Sequence, residues 1–101
     1  MITMEIALDE DKIRAEGEYD VELIKYNICR LFYEKKLCKI ETLDGSIVHC
    51  GANRDEEVKS FGYIILFLAQ SKWFVRYVKK WTWDRDGNRE DIREAYPGVF
   101  L

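Results

Sequence analysis

The stretch Lys72-Trp73-Phe74-Val75-Arg76-Tyr77-Val78-Lys79-Lys80-Trp81-Thr82-Trp83 carries all 3 tryptophans of the chain, interleaved with Lys72, Arg76, Lys79 and Lys80. Rings for stacking on bases and cations for neutralising phosphates are the chemistry of single-stranded nucleic-acid binding, provided both occupy one surface. Wound as a helix, the stretch separates them. Trp73, Phe74, Tyr77, Val78 and Trp81 fall on one arc, and Lys72, Arg76, Lys79 and Lys80 on the opposite arc. The spacing therefore predicts an aromatic core face and a solvated basic face that is free to meet an acidic partner or a phosphate. Trp83 falls outside this division. Either the helix ends at about Trp81, or Trp83 is an exposed aromatic beside cations, a residue type that anchors protein interfaces.

Other candidate chemistry is weaker. The chain has 1 histidine and 3 cysteines, Cys29, Cys38 and Cys50, with no C-x-x-C spacing. An odd count without paired spacing is neither a disulfide framework nor a usual zinc site. A Cys–His nucleophilic pair requires both side chains on one surface. His49 and Cys50 are strand neighbours on opposite faces, whereas Cys38 and His49 can share a face in one hairpin register. No orienting group or glycine-rich oxyanion turn accompanies them. Asp84-Arg85-Asp86-Gly87-Asn88 begins like a calcium loop, but Arg89 stands where the sharp turn needs glycine and Ala95 where a bidentate acid belongs. The glycines form neither G-x-G-x-x-G nor a P-loop. These patterns predict no enzyme, no metal and no cofactor.

The 101 residues are 48% hydrophobic and 35% charged with 1 proline. That composition predicts a single globular domain spanning residues 1–101. No apolar run approaches the roughly 18 residues of a membrane span, and no basic and apolar leader opens the chain; a cytoplasmic location is the expectation. The net charge of −3 is unevenly spread. Residues 1–20 carry Glu5, Asp9, Glu10, Asp11, Glu16, Glu18 and Asp20 against Lys12 and Arg14, while residues 72–83 carry bases and no acid. Overall acidity argues against non-specific DNA binding and suits an acidic face, including Glu10, Asp11, Glu16 and Glu18, that meets a basic partner.

The elements that must position these groups are an N-terminal strand, Ile2 to Leu8, with Ile2, Met4, Ile6 and Leu8 on one face. Residues 13–17 read as a second short strand or an extended loop. Asp20 caps a helix over residues 21–36, with Val21, Ile24, Ile28, Leu31 and Phe32 on one stripe. Residues 37–51 read as a hairpin turning at Asp44-Gly45, the strongest short hairpin signal. In that register Cys38 opposes Gly51 and Ile40 opposes His49, so Cys38, Ile40, Ile47 and His49 share one face. Asn53 and Glu56 suggest a capping box for a helix carrying Val58, Phe61, Ile64, Ile65 and Leu68. Its C-terminal half is apolar nearly all round and is expected to lie centrally in the core. Ser71 starts the helix over 72–83, and Asn88 caps a short last helix ending before Pro97-Gly98. The expected fold is α+β: an antiparallel sheet of three to four strands with helices on one face, in the order β(β)αββαα.

The string Glu5-Ile6-Ala7-Leu8-Asp9-Glu10-Asp11-Lys12-Ile13-Arg14-Ala15-Glu16-Gly17-Glu18-Tyr19-Asp20, the hairpin at Asp44-Gly45 and the Trp73 to Trp83 segment resemble small accessory proteins of conjugative and other mobile elements of Firmicutes. The chain departs from that pattern in its more basic 76–80 segment. The resemblance implies a bacterial host and a protein that binds a host factor, such as an anti-defence (anti-CRISPR-like) inhibitor of a host nuclease or CRISPR effector. The alternative is a nucleic-acid-binding accessory of conjugation. The expected contact residues are Glu10, Asp11, Glu16, Glu18, Lys72, Arg76, Lys79, Lys80 and Trp83, and an exposed Trp83 is compatible with a homodimer.

Overall fold

A computed structural model describes residues 1–95. The chain runs β1 (Ile2–Leu8), α1 (Glu10–Glu16), α2 (Val21–Glu34), β2 (Cys38–Ile40), β3 (Ile47–Gly51), α3 (Asp55–Ala69), α4 (Lys72–Val75), β4 (Val78–Arg85), β5 (Asn88–Asp91) and α5 (Ile92–Ala95). The fold class is α+β. The sheet has 5 strands in the order β2-β3-β1-β4-β5, more than the sequence suggested, and every pairing is antiparallel. Central β1 alternates as its sequence requires: Ile2, Met4, Ile6 and Leu8 are buried, and Thr3, Glu5 and Ala7 are half-buried. The buried side meets Ile24, Ile28 and Phe32 of α2 and Phe61, Ile64 and Leu68 of α3 in one core.

Local signals place several termini. The Asp20 carboxylate accepts from the Glu22 and Leu23 amides at 2.8 and 3.2 Å, capping α2 as expected. Residues 10–16 are a helix rather than a strand or loop. Asp9 caps α1 by accepting from the Lys12 amide, and Gly17 (φ 68°) closes it by donating to the Ile13 carbonyl. Three expected caps do not form. Residue Arg54, not Asn53, precedes α3; Asn53 instead donates to Asp86 and accepts from Arg85. The Ser71 hydroxyl turns back to the Phe67 carbonyl at 2.7 Å. Asn88 lies in β5, and Asp91 caps α5 by accepting from the Arg93 and Glu94 amides. The expected stop at Pro97-Gly98 lies outside the described residues.

The largest correction concerns residues 72–83. Only Lys72–Val75 is helical; Val78–Arg85 is a strand. The three-residue step from Val78 to Trp81 imitates a helix, but a β-bulge produces it. Pairing passes from Leu8 with Val78 to Ala7 with Lys80, leaving Lys79 as the extra residue. The bulge restores Val78, Trp81 and Trp83 to the same buried face. Aromatic and β-branched residues suit such a half-buried pleat. Trp83 is thus a core residue, 5% exposed, and not an outer anchor. Phe74 meets Trp81 edge to face at 4.9 Å.

The hairpin register is also corrected, by one residue. Cys38 opposes Cys50, Lys39 opposes His49 and Ile40 opposes Val48. A two-residue I′ turn needs positive φ at both central positions. Gly45 has φ 80°, but Asp44 is not in that region. The Asp44 carboxylate instead accepts from the Ser46 amide and hydroxyl at 3.0 and 2.7 Å, while the Thr42 hydroxyl donates to the Ser46 carbonyl. These side-chain bonds hold a wider loop. The two-residue turn occurs at Asp86 (φ 52°) and Gly87 (φ 94°), joining β4 to β5 with Arg85 opposite Asn88.

Candidate interaction surfaces

The strand at 78–85 redistributes the expected basic arc. Arg76 follows α4 and turns toward α1, where its guanidinium meets Glu16 at 2.6 Å and Glu18 at 3.1 Å. The Tyr77 hydroxyl donates to the same Glu16 at 2.9 Å. Lys80 pairs with Glu5 at 3.2 Å on the sheet face away from the core. Lys72 and Lys79 remain exposed, in α4 and at the bulge respectively. Glu10 pairs with Lys25 at 2.9 Å and Arg14 at 3.0 Å. Hydrogen bonding by Lys25 is the main cause that holds its carboxyl below the usual carboxylate range. Asp11 is fully exposed, beside Arg14 at 3.7 Å. The acidic N-terminal segment and the basic segment therefore fold against each other, and much of their charge is spent internally.

The sheet separates Cys38 from His49. Cys38 points to the open face, and His49 lies in the core, 2% exposed, stacked on Phe32 at 4.1 Å and 6°. Burial, assisted by Lys39, pushes the imidazole down to about 4, so it is neutral at pH 7. The shared face that the expected hairpin register gave Cys38 and His49 is therefore not formed. Among the described residues, no cluster of His, Cys, Asp and Glu is placed to hold a metal ion, and no helix is long and apolar enough to cross a membrane.

A different surface emerges from α2 and α3. The sequence places α3 centrally in the core, yet only one side of it is covered. Phe61, Ile64 and Leu68 face inward, while Tyr63, Leu66 and Phe67 are 52%, 49% and 42% exposed. Tyr63 and Phe67 stack with ring centroids 6.4 Å apart, and the Lys35 ammonium sits 4.4 Å from the Tyr63 ring. Beside them α2 exposes a second stripe, Leu23, Tyr26 and Tyr33, opposite its core stripe. Two hollows border α2, one opening toward α3 and α4 and the other toward β2 and β3. One, of about 430 Å³, lies between Asn27, Arg30, Leu31 and Glu34 of α2 and Tyr63, Phe67 and Trp73. The other, of about 370 Å³, lies between Tyr26, Cys29, Arg30, Tyr33, Leu37 and His49. Arg30 borders both. The signal was present in the sequence as apolar residues on the outer side of both helices; periodicity shows two apolar sides but not which of them is covered.

The open sheet face is of another kind. A groove of about 790 Å³ runs over Thr3, Glu5, Val48, Thr82, Asp84 and Arg89 and is walled by the loop Thr42–Ser46. Two of its carboxylates are partnered within the chain: Glu5 takes Lys80 and, at 3.9 Å, Arg89, and Asp84 accepts from the Gly87 amide.

No family model, curated protein or solved structure matches this chain.

Proposed function

We propose that the chain is a non-enzymatic protein-binding factor that docks through the outer face of α2 and α3 onto a partner presenting apolar side chains and carboxylates. The observation that carries this reading is the exposure of α3. A helix that is hydrophobic on all sides is ordinarily buried on all sides, and α3 leaves Tyr63, Leu66 and Phe67 in solvent. Contiguous apolar surface on a small domain marks an interaction site. Tyrosine, tryptophan and arginine are also the residues that dominate interface energetics, and Tyr26, Tyr33, Tyr63, Trp73 and Arg30 supply them here. Of the cations at this surface, Arg30 pairs with Glu34 at 2.9 Å and Lys39 lies 3.9 Å from Glu41, which leaves Lys35, over the Tyr63 ring, to meet a carboxylate of the partner.

The sequence resemblance to Firmicutes mobile-element proteins supports a host protein as that partner, and the particular form proposed is an anti-defence inhibitor of a host nuclease system. The nucleic-acid alternative requires Lys72, Arg76, Lys79 and Lys80 on one surface. Arg76 and Lys80 are engaged with Glu16, Glu18 and Glu5, which weakens that alternative.

The test is a cleavage assay with the host nuclease effector, titrated with the chain and with a Tyr63→Asp/Phe67→Asp double variant. Wild type should form a stable complex and suppress cleavage, and the variant should do neither while remaining folded. Equal inhibition by both proteins would remove α3 from the site. DNA binding at low salt that is lost on Lys72→Ala/Lys79→Ala, without a protein complex, would favour the nucleic-acid reading.

A further inference from the structure

The corrected hairpin register brings two thiols together. Cys38 and Cys50 are direct cross-strand partners and both are free; burial first, and then the neighbouring Cys38, pushes the Cys50 thiol up. Opposed residues in an antiparallel ladder have Cα atoms about 4.5 or 5.5 Å apart, depending on the kind of pair. Both spacings fall inside the roughly 4.4–6.8 Å window of disulfides. Cys38 is exposed on the edge strand and Cys50 is half-buried, so an external reagent reaches Cys38 first.

We infer that Cys38 and Cys50 form a reactive dithiol that exchanges with low-molecular-weight disulfides to give an internal cross-strand disulfide. The Cys38 thiolate attacks one sulfur of the external disulfide, forming a mixed disulfide and releasing one thiolate. The Cys50 thiolate then attacks the Cys38 sulfur, closing the internal bond and releasing the second thiolate. The protons of the two cysteines end on the two released thiols, so one external disulfide is reduced for each protein disulfide formed. An exposed edge-strand disulfide is of the labile, reversible kind.

The position gives the reaction a structural consequence. Strand β2 is only 3 residues long, and the bond would close the segment that contains Thr42–Ser46, the wall of the open-face groove. Oxidation therefore pins the edge strand and stiffens that wall. Cys29 lies apart from this pair, in the hollow between α2 and β2.

Oxidised glutathione is the probe. After incubation, alkylation under denaturing conditions and peptide mapping should show Cys38 linked to Cys50, with Cys29 alkylated and the link removed by dithiothreitol. Cys50→Ser should stop at the glutathione adduct on Cys38, accumulating it at least about tenfold over wild type, because the second step is intramolecular only in the wild type. Equal adduct on both proteins, a link involving Cys29, or no reaction at Cys38 would overturn the inference. If Cys50→Ser fails to fold by far-UV circular dichroism, the wild-type peptide map alone decides.

Discussion

The outer face of α2 and α3 and the open face of the sheet are both solvent surfaces, built by opposite rules. On the sheet face each prominent charge has a partner within the chain: Glu5 takes Lys80 and Arg89, and Asp84 takes the Gly87 amide. On the helix face the prominent groups are rings and aliphatic chains with water for a neighbour: Leu23, Tyr26, Tyr33, Tyr63, Leu66 and Phe67. The paired charges of the sheet face have little to gain from a partner, because new contacts must first replace existing ones, and its exposed apolar groups, Met1 and Leu43, stand at the groove's rim. An uncovered apolar face gains transfer free energy for each ring it buries, less the ordering costs of association. The difference directs attention to the helices, although the sheet face has the larger groove.

The largest effect should come from the residue that changed sides. Trp83→Ala should lower stability by about 3–5 kcal/mol in chemical denaturation, as expected for a core aromatic. A loss of partner affinity without loss of stability would return Trp83 to the surface. Next is acidity. The folded imidazole of His49 titrates at about 4 against an ordinary 6.5, so the unfolded chain binds more protons between those values. Stability should be fully present above about pH 6.5 and fall progressively toward pH 4, by up to about 3 kcal/mol from this group. Denaturation curves of His49→Phe across that range should lack this component. Third, Tyr63→Ala and Phe67→Ala should each weaken partner binding by about tenfold or more in calorimetry, a loss typical of interface anchors. Because both rings are exposed, thermal melting should change little. Melting points that fall with affinity would make the helix face structural rather than interactive. Smallest is the charge pairing. Arg76→Ala should cost no more than about 1 kcal/mol in denaturant titration, because partly exposed ion pairs contribute little.

Legibility in the sequence followed the range of the deciding interaction. The α2 helix, its Asp20 cap and the alternation of β1 were readable because a helix stripe, a capping carboxylate and a strand period are written within a few residues. The fold class followed from them. The candidate site was less legible. The charges of Glu16, Glu18 and Arg76 are plain in the sequence, but their meeting joins segments far apart in the chain. Tyr63 and Phe67 were visible as apolar, and their exposure was not, because α3 would need a further layer of chain to cover its outer side.

Short-range sterics and hydrogen bonding wrote α2 with its Asp20 cap, the N-terminal strand and the α+β class into the sequence, but not α1, whose residues read as a strand or loop. Only the tertiary structure decided that Val78–Arg85 is a strand, since a bulge against Leu8 and Ala7 imitates helical spacing. It also decided that Cys38 faces Cys50, since side-chain bonds from Thr42 and Asp44 widen the loop and shift the register by one. Period-two side chains make that single step reverse every neighbour across the strand, and a register is fixed by contacts summed over the whole sheet rather than by any local run of residues.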